Sequence, residues 1–206
     1  MKTIFRILIL SLFLAVSAEA APADLARQVL AETNIARTNP RRYAGYIKEF
    51  RGRFLGKTYR TPGSAAMVVT SEGVAALDEA IEVLSRQRPV PALSWSPGLA
   101  RAAADLVREQ SGTGDTGHDG GSSGDIRERI ERHGTWMGRI AENIGYGPDT
   151  ARLMVMELII DDGVPDRGHR KNIFNAAFKT AGVACGPHPR YRNMCVTDFA
   201  SEFKNK

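Results

Sequence analysis

Leu25, Val29, Leu30 and Thr33 recur at the three- and four-residue spacing that places side chains on one face of a helix, so the pattern predicts a helix to about Arg37. Asn39-Pro40 breaks it, and Arg42 to Phe50 reads either as a second helix or as an extended arm. Residues 51–70 have no clear period and carry Gly, Pro and Ser, the mark of a surface excursion. Val74, Leu77, Ile81 and Leu84 form a second stripe with Ser71 as the expected N-cap, and Arg88-Pro89-Val90-Pro91 ends it. Ser96 then caps a third helix with Pro97 in its first turn and Leu99, Ala103, Leu106 and Val107 on its buried face.

The second half mixes periods. Residues 111–125 are a Gly- and Ser-rich loop holding His118, followed by a short helix over 126–133 that Gly134 closes. Ile140, Glu142 and Ile144 alternate with Ala141 and Asn143, which predicts a strand with a carboxylate where its apolar face should continue. Asp149 or Thr150 caps a further helix with Leu153, Met156 and Ile160 as its stripe, and Asp161-Asp162-Gly163 breaks it. Two short strands, Ala181 to Cys185 and Met194 to Phe199, flank a Pro/Arg loop, and residues 201–206 read as a frayed tail. No internal repeat or interdomain linker is visible, so residues 21–206 are expected to form one α+β domain with a long connection at about 48–90.

The first twenty residues change the compartment. Lys2 and Arg6 precede the apolar run Ile7 to Val16, and Ala18-Glu19-Ala20 supplies a small-x-small cleavage pattern. Residues 1–20 are therefore expected to be a secretory signal peptide, with the product secreted or periplasmic, and no later stretch is apolar enough to span a membrane. In an oxidising compartment the only two cysteines, Cys185 and Cys195, are expected to form a disulfide within the terminal hairpin. The 206 residues are 43% hydrophobic and 25% charged, with a formal net charge of +5, which excludes a disordered or collagen-like chain. Nucleic acid is not an expected partner. Arg127, Arg129, Arg132 and Arg139 are interleaved with Glu128 and Glu131, the pattern of a solvated, salt-bridged helix face without an aromatic platform.

The common hydrolase signals are missing. There is no HExxH, and Gly120-Gly121-Ser122-Ser123-Gly124 satisfies G-x-S-x-G only in a loop with no strand before it. Of the four histidines, His133 reads as a cation at a helix C-terminus and His188 as a solvated hairpin tip. His118 and His169 are each equally a ligand or a structural hydrogen-bonder when taken alone.

Taken together, the segments around them resemble a known family. Ala141-Glu142-Asn143-Ile144-Gly145 is similar to the G-E-N-I box, and Gly168-His169-Arg170-Lys171-Asn172-Ile173 to the G-H-R-x-N-I box, of the CAP superfamily (SCP domain). Pro91 to Ala100 resembles its P-L-x-W-x-x-x-L-A segment, His118 falls where its first histidine lies, and Ala181 to Cys185 resembles its G-V-G strand. The sequence departs from the family's W-x-x-E pattern, because Leu158-Ile159-Ile160-Asp161 occupies that register with Asp162 beside it. The fourth site acid is thus Asp161 or Asp162.

The resemblance implies a three-layer α-β-α sandwich with a small, mainly antiparallel central sheet, and a cleft lined by His118, Glu142, Asp161 and His169. It also implies that the two imidazoles could hold a divalent metal such as zinc, with nearby carboxylates orienting them. Two functions follow: a binding module for a small, lipidic or extracellular protein ligand, or a metal-dependent hydrolase of peptide or ester bonds with Glu142 as general base. A third reading makes the His/acid cluster purely structural.

Overall fold

The stripes and stop signals resolve into seven helices and seven strands in the computed structural model, which describes residues 22–60 and 67–206; the leader expected at 1–20 lies outside them. In chain order these are α1 (Pro22–Thr38), α2 (Pro40–Arg51), β1 (Phe54–Leu55), β2 (Thr58–Arg60), β3 (Met67–Val69), α3 (Val74–Arg86), β4 (Ser94–Trp95), α4 (Pro97–Thr113), α5 (Ile126–His133), β5 (Gly134–Tyr146), α6 (Ala151–Ile160), α7 (Gly168–Ile173), β6 (Thr180–His188) and β7 (Arg192–Asn205). The helix starts obey the local chemistry. Ser96 Oγ accepts from the Leu99 amide, Thr150 from Leu153, and Asp125 with Glu128 closes a reciprocal capping box on α5.

The central sheet has the order β4-β6-β7-β5, with β4 parallel to β6 and the other pairs antiparallel. Strand alternation then divides the core. Ala181, Val183, Cys195 and Phe199 face a layer built on α1, α2, α3 and α6, whereas Met194, Val196, Ala200 and Ile144 face α4 and α5. The result is an α+β protein with helices on both sides of a small sheet. Gly182 sets the closeness of one layer, because a Cβ there would lie 2.0 Å from the Ala100 backbone nitrogen, so α4 rests directly on β6.

Cys185 and Cys195 lie opposite each other in the β6–β7 ladder and are joined as a disulfide. Reduction, or the double change Cys185→Ser/Cys195→Ser, is expected to cost about 2–3 kcal/mol on the loop-entropy argument. A lower urea midpoint reads it out; an unchanged midpoint would mean that the strand ladder alone holds this hairpin.

Four local expectations are corrected. Ser71 is not the cap of α3: the helix begins at Val74, and the Ser71, Glu72 and Gly73 amides donate instead to the Asp162 carboxylate at 2.6, 2.7 and 3.3 Å. The excursion at 51–70 contains a three-stranded antiparallel sheet, β1-β2-β3, whose strands are too short to show a period. His188 is buried rather than solvated, with Nε2 bonded to the Asp115 carbonyl and its ring against Tyr146 and Tyr191. The 201–206 tail is not frayed, since β7 continues to Asn205 and pairs Phe203 with Trp136 and Asn205 with Gly134. Where Arg42 to Phe50 left a choice, the segment is helical, with Tyr43, Ile47 and Phe50 buried.

Candidate functional site

β5 is an edge strand, and two successive residues on it gather the histidine segments. Glu142 shares a sheet face with Ile144 and Val196, the face covered by α4 and α5; Asn143 points to the other. On the first side the loop after α4 brings His118 to Glu142, with Nδ1 2.9 Å from Oε1. Gln110, whose Nε2 donates to the Gly117 carbonyl, and the Tyr146 hydroxyl, which accepts from the Gly117 amide, hold that loop in place.

On the second side α7 lies along the strand. Asn143 Nδ2 donates to the His169 carbonyl at 3.0 Å, and Asn172 Nδ2 donates to Asn143 Oδ1 at 2.9 Å. Asp161 ends α6 in the left-handed region (φ 59°), a conformation that Asp tolerates better than most residues. From there its carboxylate accepts from the His169 amide at 2.9 Å and faces His169 Nδ1 at 2.6 Å. Asp162 points away, to the amides before α3. Arg170, buried in the same segment, donates to the Ile159 and Ile160 carbonyls at the end of α6 and pairs with Glu79 of α3.

The two imidazoles share one arrangement. In a neutral ring a carboxylate at Nδ1 selects the tautomer with its proton there, which leaves Nε2 as the lone pair. Among the described residues neither Nε2 has a hydrogen-bond partner, and the side chains remain 53% and 23% exposed for His118 and His169. The hydrogen bond to Glu142 raises the His118 pKa above its ordinary value, against the opposing effect of burial.

Two residues behind Glu142 escaped the sequence reading. Arg129 is not on a solvated face: it is fully buried, and its guanidinium donates to Glu142 Oε2 at 2.7 Å and to the His118 carbonyl at 3.0 Å. The neighbouring Arg127–Glu131 pair is the exposed part of that helix. Asp198 stands opposite Glu142 in the β5–β7 ladder and is fully buried, with neither carboxyl oxygen receiving a hydrogen bond. Burial and the Glu142 charge push its carboxyl well above the usual carboxylate range. Its sequence signal was an acid inside the apolar run from Cys195 to Ala200; Arg129 carried none. His133, at the end of α5, bonds Asp105 through Nε2 at 2.8 Å.

The sequence profile of the cysteine-rich secretory protein (CAP) family matches residues 30–199. The chain belongs to the CAP family. Among solved structures, this CAP protein is similar to an extracellular SCP-domain protein from Bacillus anthracis, at 20% identity and a TM-score of 0.45 over 55% of this chain and 35% of that one. It is also similar to a cysteine-rich secretory protein from Staphylococcus aureus (15% identity, TM-score 0.42, 63% and 38% covered) and to an outer surface protein from Borrelia burgdorferi (13%, 0.45, 74% and 100%). The CAP chain thus spans little more than a third of the length of the first two. A search of curated proteins found no match. No helix among the described residues is long and apolar enough to cross a membrane.

Proposed function

We propose that this CAP domain is an extracytoplasmic binding module whose His118/His169 edge takes up a divalent metal, and through it or beside it a small, lipidic or protein ligand. One observation carries this reading: each imidazole has its Nδ1 held by a carboxylate and, among the described residues, its Nε2 without a partner. That is the arrangement in which a carboxylate orients a ligating histidine and raises its basicity. The donor set suits zinc in type, with Nε2 of His118 and of His169 as the protein ligands. Among the described residues no group of three or more His, Cys, Asp or Glu is placed to hold a metal ion, so solvent or a bound partner would have to complete the coordination. When bound, such an ion polarises what it holds.

The same geometry speaks for binding over hydrolysis. A general base at Glu142 needs a free oxygen, but one Glu142 oxygen faces His118 Nδ1 and the other accepts from the buried Arg129. Glu142 here positions an imidazole.

Zinc titration calorimetry on the chain without residues 1–20 tests the reading. Micromolar or tighter binding, about −8 kcal/mol, is expected for the wild type and should vanish in a folded His118→Ala/His169→Ala variant. Absence of binding in the wild type, or equal binding by the variant, refutes it.

A further inference from the structure

The 51–70 excursion, itself remote in sequence from both histidines, covers a cavity. Strand pairing puts Phe54, Tyr59 and Val68 side by side on one face of the small sheet, because Phe54 pairs with Tyr59 and Tyr59 with Val68. That face closes over α2, α3 and α6 to leave a cavity of about 200 Å³, with Phe50, Leu77 and Ile160 among its walls. Three aromatic rings meet there: Phe54 stacks on Tyr59 at 4.8 Å between centroids, and Phe50 meets each edge-on at 5.3 and 4.9 Å.

Glu157 of α6 is the anomaly in this apolar setting. Its Oε1 accepts from the Tyr59 hydroxyl at 2.6 Å, and among the described residues its other oxygen has no partner and no Lys or Arg pairs with it. Glu157 is half-buried, and a carboxylate drawn partly out of water beside apolar walls without a cation is costly unless something else supplies the charge. Among the described lining residues the one other charged side chain, Asp162, is also an acid; Phe50, Leu77, Val68 and Val69 are apolar and Thr70 is uncharged.

We infer that this cavity is a binding site for a small organic ammonium ion, with Glu157 as its counter-ion and the rings of Phe50, Phe54 and Tyr59 as its walls. Aromatic faces and a carboxylate together select a cation that carries apolar surface. The volume lies below the 300–1,000 Å³ of drug-sized pockets and so calls for a ligand of one ring or a short alkyl chain. Burial, with Tyr59 opposing and Asp162 reinforcing, holds the empty-site Glu157 carboxyl up at about 7, so a cation must compete with a proton for it. Ile160 and Asp162 flank Asp161, but neither histidine nor its carboxylate lines this cavity, and the two sites are tested separately.

Benzylamine is the probe, with benzyl alcohol and benzoate as neutral and anionic controls of the same shape, followed by ligand-detected NMR and calorimetry at pH 8. Benzylammonium is expected to bind at least about tenfold more tightly than either control, and about tenfold more weakly at pH 6 than at pH 8 as Glu157 takes up a proton. Glu157→Gln, which keeps the shape and the acceptor for Tyr59, should erase the preference for the amine. Val68→Phe, at a half-exposed wall position, should block all three probes by filling the cavity. Failure of benzylamine to bind the wild type overturns the inference. So does an equal affinity for the alcohol, or a preference that survives in folded Glu157→Gln.

Discussion

Replacing Arg129 with methionine is expected to cost about 3–5 kcal/mol of folding stability, one of the two largest losses foreseen for any substitution in this protein. The reason is what the change leaves behind. Arg129 and Glu142 are both buried and joined at 2.7 Å, and Asp198 lies across the ladder from Glu142 with no donor of its own. Without the guanidinium, the buried Glu142 carboxylate keeps only His118 Nδ1 as a partner and faces a second acid, so it must take up a proton or draw in water. Its hold on His118 then weakens, so zinc affinity should fall along with stability. Urea unfolding measures the first and calorimetry the second. The double variant Arg129→Met/Glu142→Leu, which removes both charges, should be less damaged than Arg129→Met alone, because the penalty is mainly that of an orphaned ion. A single variant within about 1 kcal/mol of wild type would show that the pair is worth no more than an exposed one.

Arg37→Met should be nearly as costly, at about 4 kcal/mol, for a different reason. Arg37 is fully buried at the end of α1 with no carboxylate partner among the described residues; its guanidinium donates to the backbone carbonyls of Pro91, Ile173, Asn175 and Phe178. Burial draws its pKa down to about 10. Methionine fills much of the volume but supplies no donor, so several buried carbonyls lose their partners, each worth about 1–3 kcal/mol where water cannot replace it. These carbonyls lie before β4 and between α7 and β6, so the loss should loosen the segment that follows the His169 helix. Faster amide exchange after Ile173, together with the lower urea midpoint, is the expected signature. Loss of stability without that local signature would place the role of Arg37 elsewhere.

The site was legible in proportion to how locally each residue is determined. Glu142 could be picked out because it interrupts the alternation of Ile140 and Ile144, and His169 because it sits in a compact polar run just after a helix break. The choice between Asp161 and Asp162 was open because adjacent acids at a helix end have equal local claims. Three-dimensional direction separates them: the left-handed turn at Asp161 aims one carboxylate at His169 Nδ1, while the next points to the amides before α3. His188 was misread because a His between two prolines in a hairpin loop carries a turn signal and no burial signal. Its ring is covered by Tyr146 and Tyr191, of which Tyr146 comes from β5.

By itself the sequence determined what depends on neighbours within a few residues. It set the stripes of α1, α3 and α4, the cap at Ser96, a cap at Asp149 or Thr150 that the structure places at Thr150, the strand around Glu142 and the ordered motifs of the CAP family. Only the tertiary structure decided which charges are inside. Arg129 looks like its neighbours on α5 until the layer beneath it is present, Arg37 and Asp198 become buried because α7 and β5 close over them from elsewhere in the chain, and Glu157 is half-covered by the small β1-β2-β3 sheet. The physical reason is that hydrophobic periodicity reports the cheap way to bury a surface. A buried charge is instead offset by partners far away in sequence, which no local pattern records.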